Sequence, residues 1–85
     1  MEYKIGGRVK ATGDYYGYDD RRLGNNIGTI IGFSEFNDDP LVEFDEDING
    51  HDGLSCVKDG GKHGKDGHCW YCLKGELELV TEREP

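Results

Sequence analysis

The chain has 85 residues with 18 Asp or Glu and 10 Lys or Arg, which gives a formal net charge of -8 at pH 7 and supports one small domain over residues 1–85. This acidic charge argues against direct binding to nucleic acid, because affinity for phosphate backbones comes mainly from Lys and Arg. No long apolar run and no charged leader ahead of an apolar segment is present, so we expect neither a membrane span nor a secretory signal.

The first half of the chain predicts two strands separated by a long loop. Residues 8–12 alternate polar and apolar side chains, which is typical of a half-buried strand with Val9 and Ala11 facing the core. Residues 13–26 combine three tyrosines with dense charge and no apolar period, so they predict a loop. Residues 27–33 are rich in β-branched side chains, and Gly28 and Gly32 indicate a bent or bulged strand.

The second half predicts three more strands and a second long loop. Residues 37–40 form a turn and residues 41–44 a strand, which pairs with the preceding strand as a hairpin. A loop over 45–67 leads to an aromatic strand at 68–73, a break at Lys74 and Gly75, and a last strand at 77–80. About five short strands, two long loops and no helical period predict an all-β, small closed barrel. Its single core is expected to contain Val9, Ala11, Ile31, Phe33, Val42, Phe44, Leu77 and Leu79.

Basic and imidazole groups are concentrated on the second long loop. The members of this set are Lys58, Lys62, His63, Lys65 and His68. By contrast, residues 35–47 contain seven carboxylates and no Lys or Arg. Glycines leave backbone N–H groups free to meet an anion, although a solvated surface loop has the same composition. The spacing of the glycines is not that of a P-loop.

Two further features extend this candidate ligand site. Tyr15, Tyr16 and Tyr18 predict an aromatic surface on the first loop, joined by Trp70 or Tyr71, although Trp70 also suits a core position. In Gly50-His51-Asp52, we expect Asp52 to orient the His51 ring toward a phosphate or hydroxyl. No nucleophile or oxyanion arrangement accompanies this pair, so we predict that the protein is not an enzyme.

Two segments of the chain carry possible metal ligands. Cys69 and Cys72 have the spacing of a zinc half-site, with Cys56, His63 and His68 as possible further ligands. Residues three apart in a strand point to opposite faces, which favours buried free thiols. Residues 45–50 match the first half of a calcium loop, but its twelfth position is Cys56 instead of Glu. We therefore predict no metal and no cofactor. Three cysteines cannot all pair, and free thiols indicate a reducing cytoplasm.

The chain resembles the SH3-like barrels that are repeated in Mind bomb ubiquitin ligases. The resemblance rests on Gly7 and Val9, a long charged loop, residues 28–30, Val42 with Phe44, Trp70, and residues 77–80. A second pattern is similar to small phage and prophage proteins: Val-Glu-Phe-Asp at 42–45, Gly-His-Asp at 50–52, Gly-His-Cys-Trp at 67–70 and Leu-Glu-Leu at 77–79. The chain departs from it at Cys72, where an aliphatic residue is usual. This resemblance implies a binding protein that counters host defence in the host cytoplasm.

Together these patterns predict a non-enzymatic SH3-like barrel that captures a small anionic, nucleotide-like ligand. The candidate ligand-binding residues are Tyr15, Tyr16, Tyr18, His51, Asp52, Lys58, Lys62, His63, Lys65 and His68. Because a small barrel has little interior, a deep site would form between subunits, so we expect a homo-oligomer. One alternative is an acidic inhibitor of a basic, DNA-binding host protein, acting through residues 35–47. Another alternative is a structural zinc module.

Overall fold

Five antiparallel strands make up one sheet in the computed structural model, which describes residues 3–15, 22–54, 56–58 and 63–80. The strands are β1 Arg8–Ala11, β2 Ile27–Phe33, β3 Pro40–Phe44, β4 Cys69–Tyr71 and β5 Leu77–Leu79, with a 3-10 turn at Lys74–Glu76. Their order across the sheet is β4-β3-β2-β1-β5. The predicted all-β class is confirmed, as are the two long connections before β2 and before β4.

The predicted closed barrel is wrong, because β4 and β5 lie at opposite ends of the strand order. Within the described ranges, no ladder joins these two strands, and each has only three residues. Other segments take up part of their outer edges. His51 pairs with Cys69 at the edge of β4, and the Tyr3 hydroxyl donates to Leu77 O of β5 at 2.9 Å. The sheet is therefore open.

Strand β2 contains the predicted irregularity, and this changes which side chains share a face. The β2–β3 register shifts between Ile30 and Gly32. Ile30 belongs to one buried cluster and Ile31 to another, while Phe33 packs against the cluster of Ile30. Without the shift, Ile31 and Phe33 would lie on the same face, as strict alternation predicts. The sequence predicted one core that includes Ile31, but Ile31 packs in a second cluster.

Two clusters of apolar side chains pack on the sheet. The larger contains Val9, Ala11, Tyr15, Leu23, Ile30, Val42, Phe44, Ile48, Cys72 and Leu77, with Tyr3, Phe33, Trp70 and Leu79 packed against it. The smaller contains Ile31, Leu41 and Cys69, with Val57 and Tyr71 packed against it. Val57 comes from the long β3–β4 loop and bridges to Ser34. The loop therefore covers the second face of the sheet and brings its polar residues to β4.

Among the residues that the structure describes, no helix is long and apolar enough to cross a membrane.

Candidate functional site

The half-buried His51 ring contacts the half-buried rings of Trp70 and Tyr71 at the outer edge of β4, and we call these three residues the His51 cluster. Trp70 packs on the larger apolar cluster and Tyr71 on the smaller one, so the two rings lie on opposite faces of the strand. His51 is held there by two backbone hydrogen bonds to Cys69, at 3.0 and 2.9 Å. Its ring centroid lies 5.4 Å from that of Trp70 and 5.7 Å from that of Tyr71, with the planes tilted by 35° and 34°. These separations are in the range of favourable ring contacts.

A tight turn over residues 51–54, which we call the 51–54 turn, fixes the His51 ring. The Gly53 N–H donates to His51 Nδ1 at 2.8 Å, and the Tyr71 hydroxyl donates to Gly53 O at 2.6 Å. Gly53 has a φ of +107°, and a Cβ there would lie 2.8 Å from Leu41 Cδ2, so glycine is required. Because His51 Nδ1 accepts a hydrogen bond, the imidazole is neutral with its proton on Nε2.

The carboxylate of Asp52 was predicted to orient the His51 ring, but it has a different role in this turn. Its Oδ1 accepts from the Leu54 N–H at 2.9 Å, while Gly53 orients the His51 ring. The neighbouring segment packs on the same turn, since the Gly64 N–H donates to Asp52 O at 3.0 Å and His63 Nε2 donates to Leu54 O. The structure thus brings His51, Asp52 and His63 together.

Other predicted site residues lie around this group or apart from it. His68 Nδ1 donates to Phe44 O at 2.9 Å. The Lys65 N–H donates to Glu43 Oε2 at 2.7 Å, and its side chain is exposed. Lys58 instead forms an ion pair with Asp38 on the β2–β3 turn, which also contacts Lys74 at 3.5 Å. The predicted residues Tyr16, Tyr18 and Lys62 lie outside the described residues.

Asp38 and Asp45 are held by basic partners. The hydrogen bond from Lys58 keeps the pKa of Asp38 below its usual range. The Arg8 guanidinium binds Asp45 with both nitrogens, at 2.9 and 2.8 Å, and lowers the pKa of that carboxyl. Residue 45 is the first position of the half calcium loop, and Asp47 Oδ1 accepts from the Asn49 N–H at 2.7 Å. The carboxylate oxygens of Asp45 and Asp47 therefore accept hydrogen bonds from groups of the protein itself.

Tyr15 was predicted to belong to an aromatic surface, but it is a core residue. Its side chain is 7% exposed, and its hydroxyl accepts from the Leu73 N–H at 3.1 Å. Burial raises the pKa of Tyr15 to about 12, although the Leu73 hydrogen bond acts in the opposite direction. Its ring face is therefore closed to a ligand. Trp70 was expected either on the aromatic surface or in the core. It is half-buried and packs on the larger cluster, so it lies between these two positions.

The cysteines are free thiols in separate environments. Cys69 and Cys72 belong to different clusters, which confirms the prediction that they point to opposite faces. Burial raises the pKa of Cys69 to about 11 and also raises that of Cys72. Within the described ranges, no three His, Cys, Asp or Glu residues are grouped so that they could hold a metal.

The contacts of His51 with Trp70 and Tyr71 were not predicted from the sequence. The pairing spans the β3–β4 loop through an isolated bridge, which has no periodic signature in the sequence. The only local signal is the His-x-Gly spacing, in which Gly53 permits the left-handed backbone of the 51–54 turn.

No family model matches this chain, and no curated protein or solved structure matches it either. The likenesses to Mind bomb repeats and to phage proteins remain predictions from the sequence.

Proposed function

We propose that this protein is a non-catalytic binding protein that captures a small anionic, nucleotide-like ligand at the His51 cluster. The observation that supports this proposal is the contact of the His51 ring with two half-buried aromatic rings, Trp70 and Tyr71, at the edge of β4. A half-exposed ring offers a flat surface on which a base can stack. The described segment that packs on the 51–54 turn carries the exposed Lys65, which can contact a phosphate group, and Lys62 precedes that segment in the sequence.

The charge of the chain favours a small ligand over a long polyanion. With a net charge of -8, the whole molecule repels a nucleic acid backbone. A single nucleotide interacts mainly with charges within about 8 Å at physiological salt, because more distant charges are screened. Local lysines can therefore bind a nucleotide on a protein that is acidic overall.

The chemistry of the neighbouring groups favours binding over catalysis. One ring nitrogen of each histidine is bonded to a backbone group. The raised pKa of Cys69, about 11, keeps that thiol protonated at neutral pH, so it is a poor nucleophile. These groups are suited to holding a ligand in place.

A second copy of the chain would complete the site. The His51 cluster lies at a sheet edge, and the apolar side chain of Leu54 beside it is 53% exposed. Covering this side chain and a bound ligand together would exclude water from both. On the resemblance to phage proteins, such a homo-oligomer would sequester a nucleotide signal of host defence in the host cytoplasm.

Calorimetry with a panel of cyclic and linear nucleotides tests the proposal. Replacing Lys62, His63 and Lys65 together with Ala should lower affinity by at least about tenfold, since a charge-assisted hydrogen bond contributes about 1.5 to 3 kcal/mol. The matched control replaces Lys58 and Lys74, which pair with Asp38, and also removes two lysine charges. Its affinity should stay within about twofold of the wild type, because the ion pairs with Asp38 hold both lysine side chains at the β2–β3 turn. Equal losses in both variants would argue against a local site.

The acidic-inhibitor alternative is favoured by the exposed carboxylates of Glu35 and Glu46. Glu35→Gln with Glu46→Gln removes two charges outside the Asp38 and Asp45 ion pairs. On the capture proposal this variant binds nucleotides normally. No heat with any nucleotide, together with loss of a host-protein pull-down in this variant alone, would contradict capture. Native mass spectrometry adds the subunit number and any co-purified ligand, and stoichiometric zinc would support the zinc-module alternative.

A further inference from the structure

The three histidines have different hydrogen-bonding roles, although all lie on or beside the β3–β4 loop. His68 Nδ1 faces the carbonyl oxygen of Phe44 and His63 Nε2 faces that of Leu54, so both nitrogens donate. His51 Nδ1 faces the N–H of Gly53 and must accept. A nitrogen that donates a hydrogen bond still donates after the ring is protonated, whereas a nitrogen that accepts one can no longer accept. Of the three, His51 alone loses its bond when it becomes an imidazolium.

Rotation of the ring does not restore the bond to Gly53. An imidazolium carries a proton on both nitrogens, and a flipped ring presents the Cδ2 hydrogen instead of Nδ1, so neither orientation offers an acceptor to the Gly53 N–H. The Gly53 residue is buried, and its amide loses its acceptor. Its carbonyl is bonded to the Tyr71 hydroxyl at 2.6 Å, and its tight fit against Leu41 leaves little room for adjustment. Loss of this acceptor therefore destabilises the closed position of the 51–54 turn.

The titratable groups around the ring leave His51 as the group that decides this change. Asp52 on the turn is a carboxylate that attracts an imidazolium. Cys69 and Tyr71 on β4 have pKa values raised by burial to about 11 and about 12, so both are uncharged between about pH 5 and pH 8. His63, whose Cδ2 would lie 3.4 Å from a Cβ at Gly53, keeps its donor bond on protonation.

We infer that the 51–54 turn is a pH-sensitive switch in which protonation of His51 releases Gly53 and loosens the turn from β4. When the turn loosens, the ring surface of the His51 cluster changes and the segment that carries His63 loses a packing partner. The effect of this change on ligand binding rests on the proposed function. The sign follows from the bond. The closed turn requires neutral His51, so it is present at a pH where the ring is neutral and is lost as the pH falls and the ring takes up a second proton.

Nuclear magnetic resonance on the ligand-free, 15N-labelled protein tests the switch. At about pH 8, His51 should show the tautomer with its proton on Nε2 and His68 the tautomer with its proton on Nδ1. When His51 is protonated, exchange protection of the Gly53 amide, corrected for intrinsic exchange, should fall by about two- to tenfold, which corresponds to one hydrogen bond. Finding the Nδ1-protonated tautomer at His51, or constant Gly53 protection while His51 titrates, would overturn the inference.

Matched substitutions assign the effect to His51. His51→Asn supplies an amide oxygen in place of Nδ1 and does not titrate, so Gly53 protection should become independent of pH. His68→Asn is the same change at another half-buried histidine and should leave the wild-type pH dependence in place. A pH dependence that survives in His51→Asn would also overturn the switch. These measurements need no ligand, so failure of every nucleotide to bind would reject only the proposed function.

Discussion

Phe44 and Phe36 show how position decides the contribution of a side chain. Phe44, on β3, is 1% exposed within the larger cluster, whereas Phe36, on the β2–β3 turn, is 76% exposed. Alternation of polar and apolar residues predicted Phe44, because a half-buried strand has a period of two. The turn carries no such period, so its ring was not expected in the core.

Phe44→Ala should lower the free energy of unfolding by about 3 to 5 kcal/mol, since it removes a buried ring and leaves a cavity. This loss is a large part of the stability of a domain of this size. Phe36→Ala is the matched control and should change the stability by less than about 0.5 kcal/mol. Urea denaturation followed by circular dichroism measures both. Similar losses for the two variants would mean that Phe36 is buried in solution, for example between subunits.

Tyr15 could not be assigned from the sequence alone. Its position in a polar, charged loop favours exposure, but its hydroxyl finds the Leu73 N–H, which is 58 residues away along the chain. Only the assembled fold brings that donor to the loop. His51 is the second example, because its ring contacts with Trp70 and Tyr71 depend on the same long-range assembly.

At the scale of elements, β2 was predicted with the bounds Ile27–Phe33 that the structure has, and its glycines correctly indicated the irregularity. The neighbouring strands differ from prediction by one or two residues at their ends. The covering of the second sheet face was not predictable. It depends on isolated bridges from the β3–β4 loop, in which single residue pairs replace a repeating pattern.

Gly28→Ala should destabilise the β2–β3 pair by about 1 to 3 kcal/mol. A Cβ at Gly28 would lie 2.6 Å from Glu43 O and 2.8 Å from Phe44 Cα, and these backbone atoms can move only if the strands separate. Gly75→Ala, in the 3-10 turn, is the control, since a Cβ there meets nothing within 4 Å. Thermal unfolding should show a lower Tm for Gly28→Ala and a Tm near the wild-type value for Gly75→Ala. An unchanged Tm for Gly28→Ala would contradict the close pairing.

At the scale of the whole molecule, two tyrosine hydroxyls connect distant segments. The Tyr15 hydroxyl joins the first loop to the segment before β5, and the Tyr71 hydroxyl joins β4 to the 51–54 turn. Burial raises both pKa values to about 12. The folded protein therefore keeps two phenol protons that the unfolded chain loses near pH 10.

Stability should fall as the pH rises from about 10 to about 12, because in this range the unfolded state binds fewer protons than the folded state. Below about pH 10 both states keep the phenol protons, so this contribution is fully present. Urea denaturation at a series of alkaline pH values measures the slope. The double variant Tyr15→Phe with Tyr71→Phe should be less stable at neutral pH and should show a flatter slope above pH 10. An equal slope in the variant would contradict the raised pKa values.

The occupied edges of the open sheet have a consequence for aggregation. An exposed strand edge offers unpaired backbone groups to another chain. Here the edge of β4 is bonded to His51 at Cys69. On β5, the Leu77 N–H donates to Lys74 O and Leu77 O accepts from Tyr3. Strand addition is thereby hindered at one position on each edge of the sheet, which disfavours edge-to-edge pairing of copies of the chain.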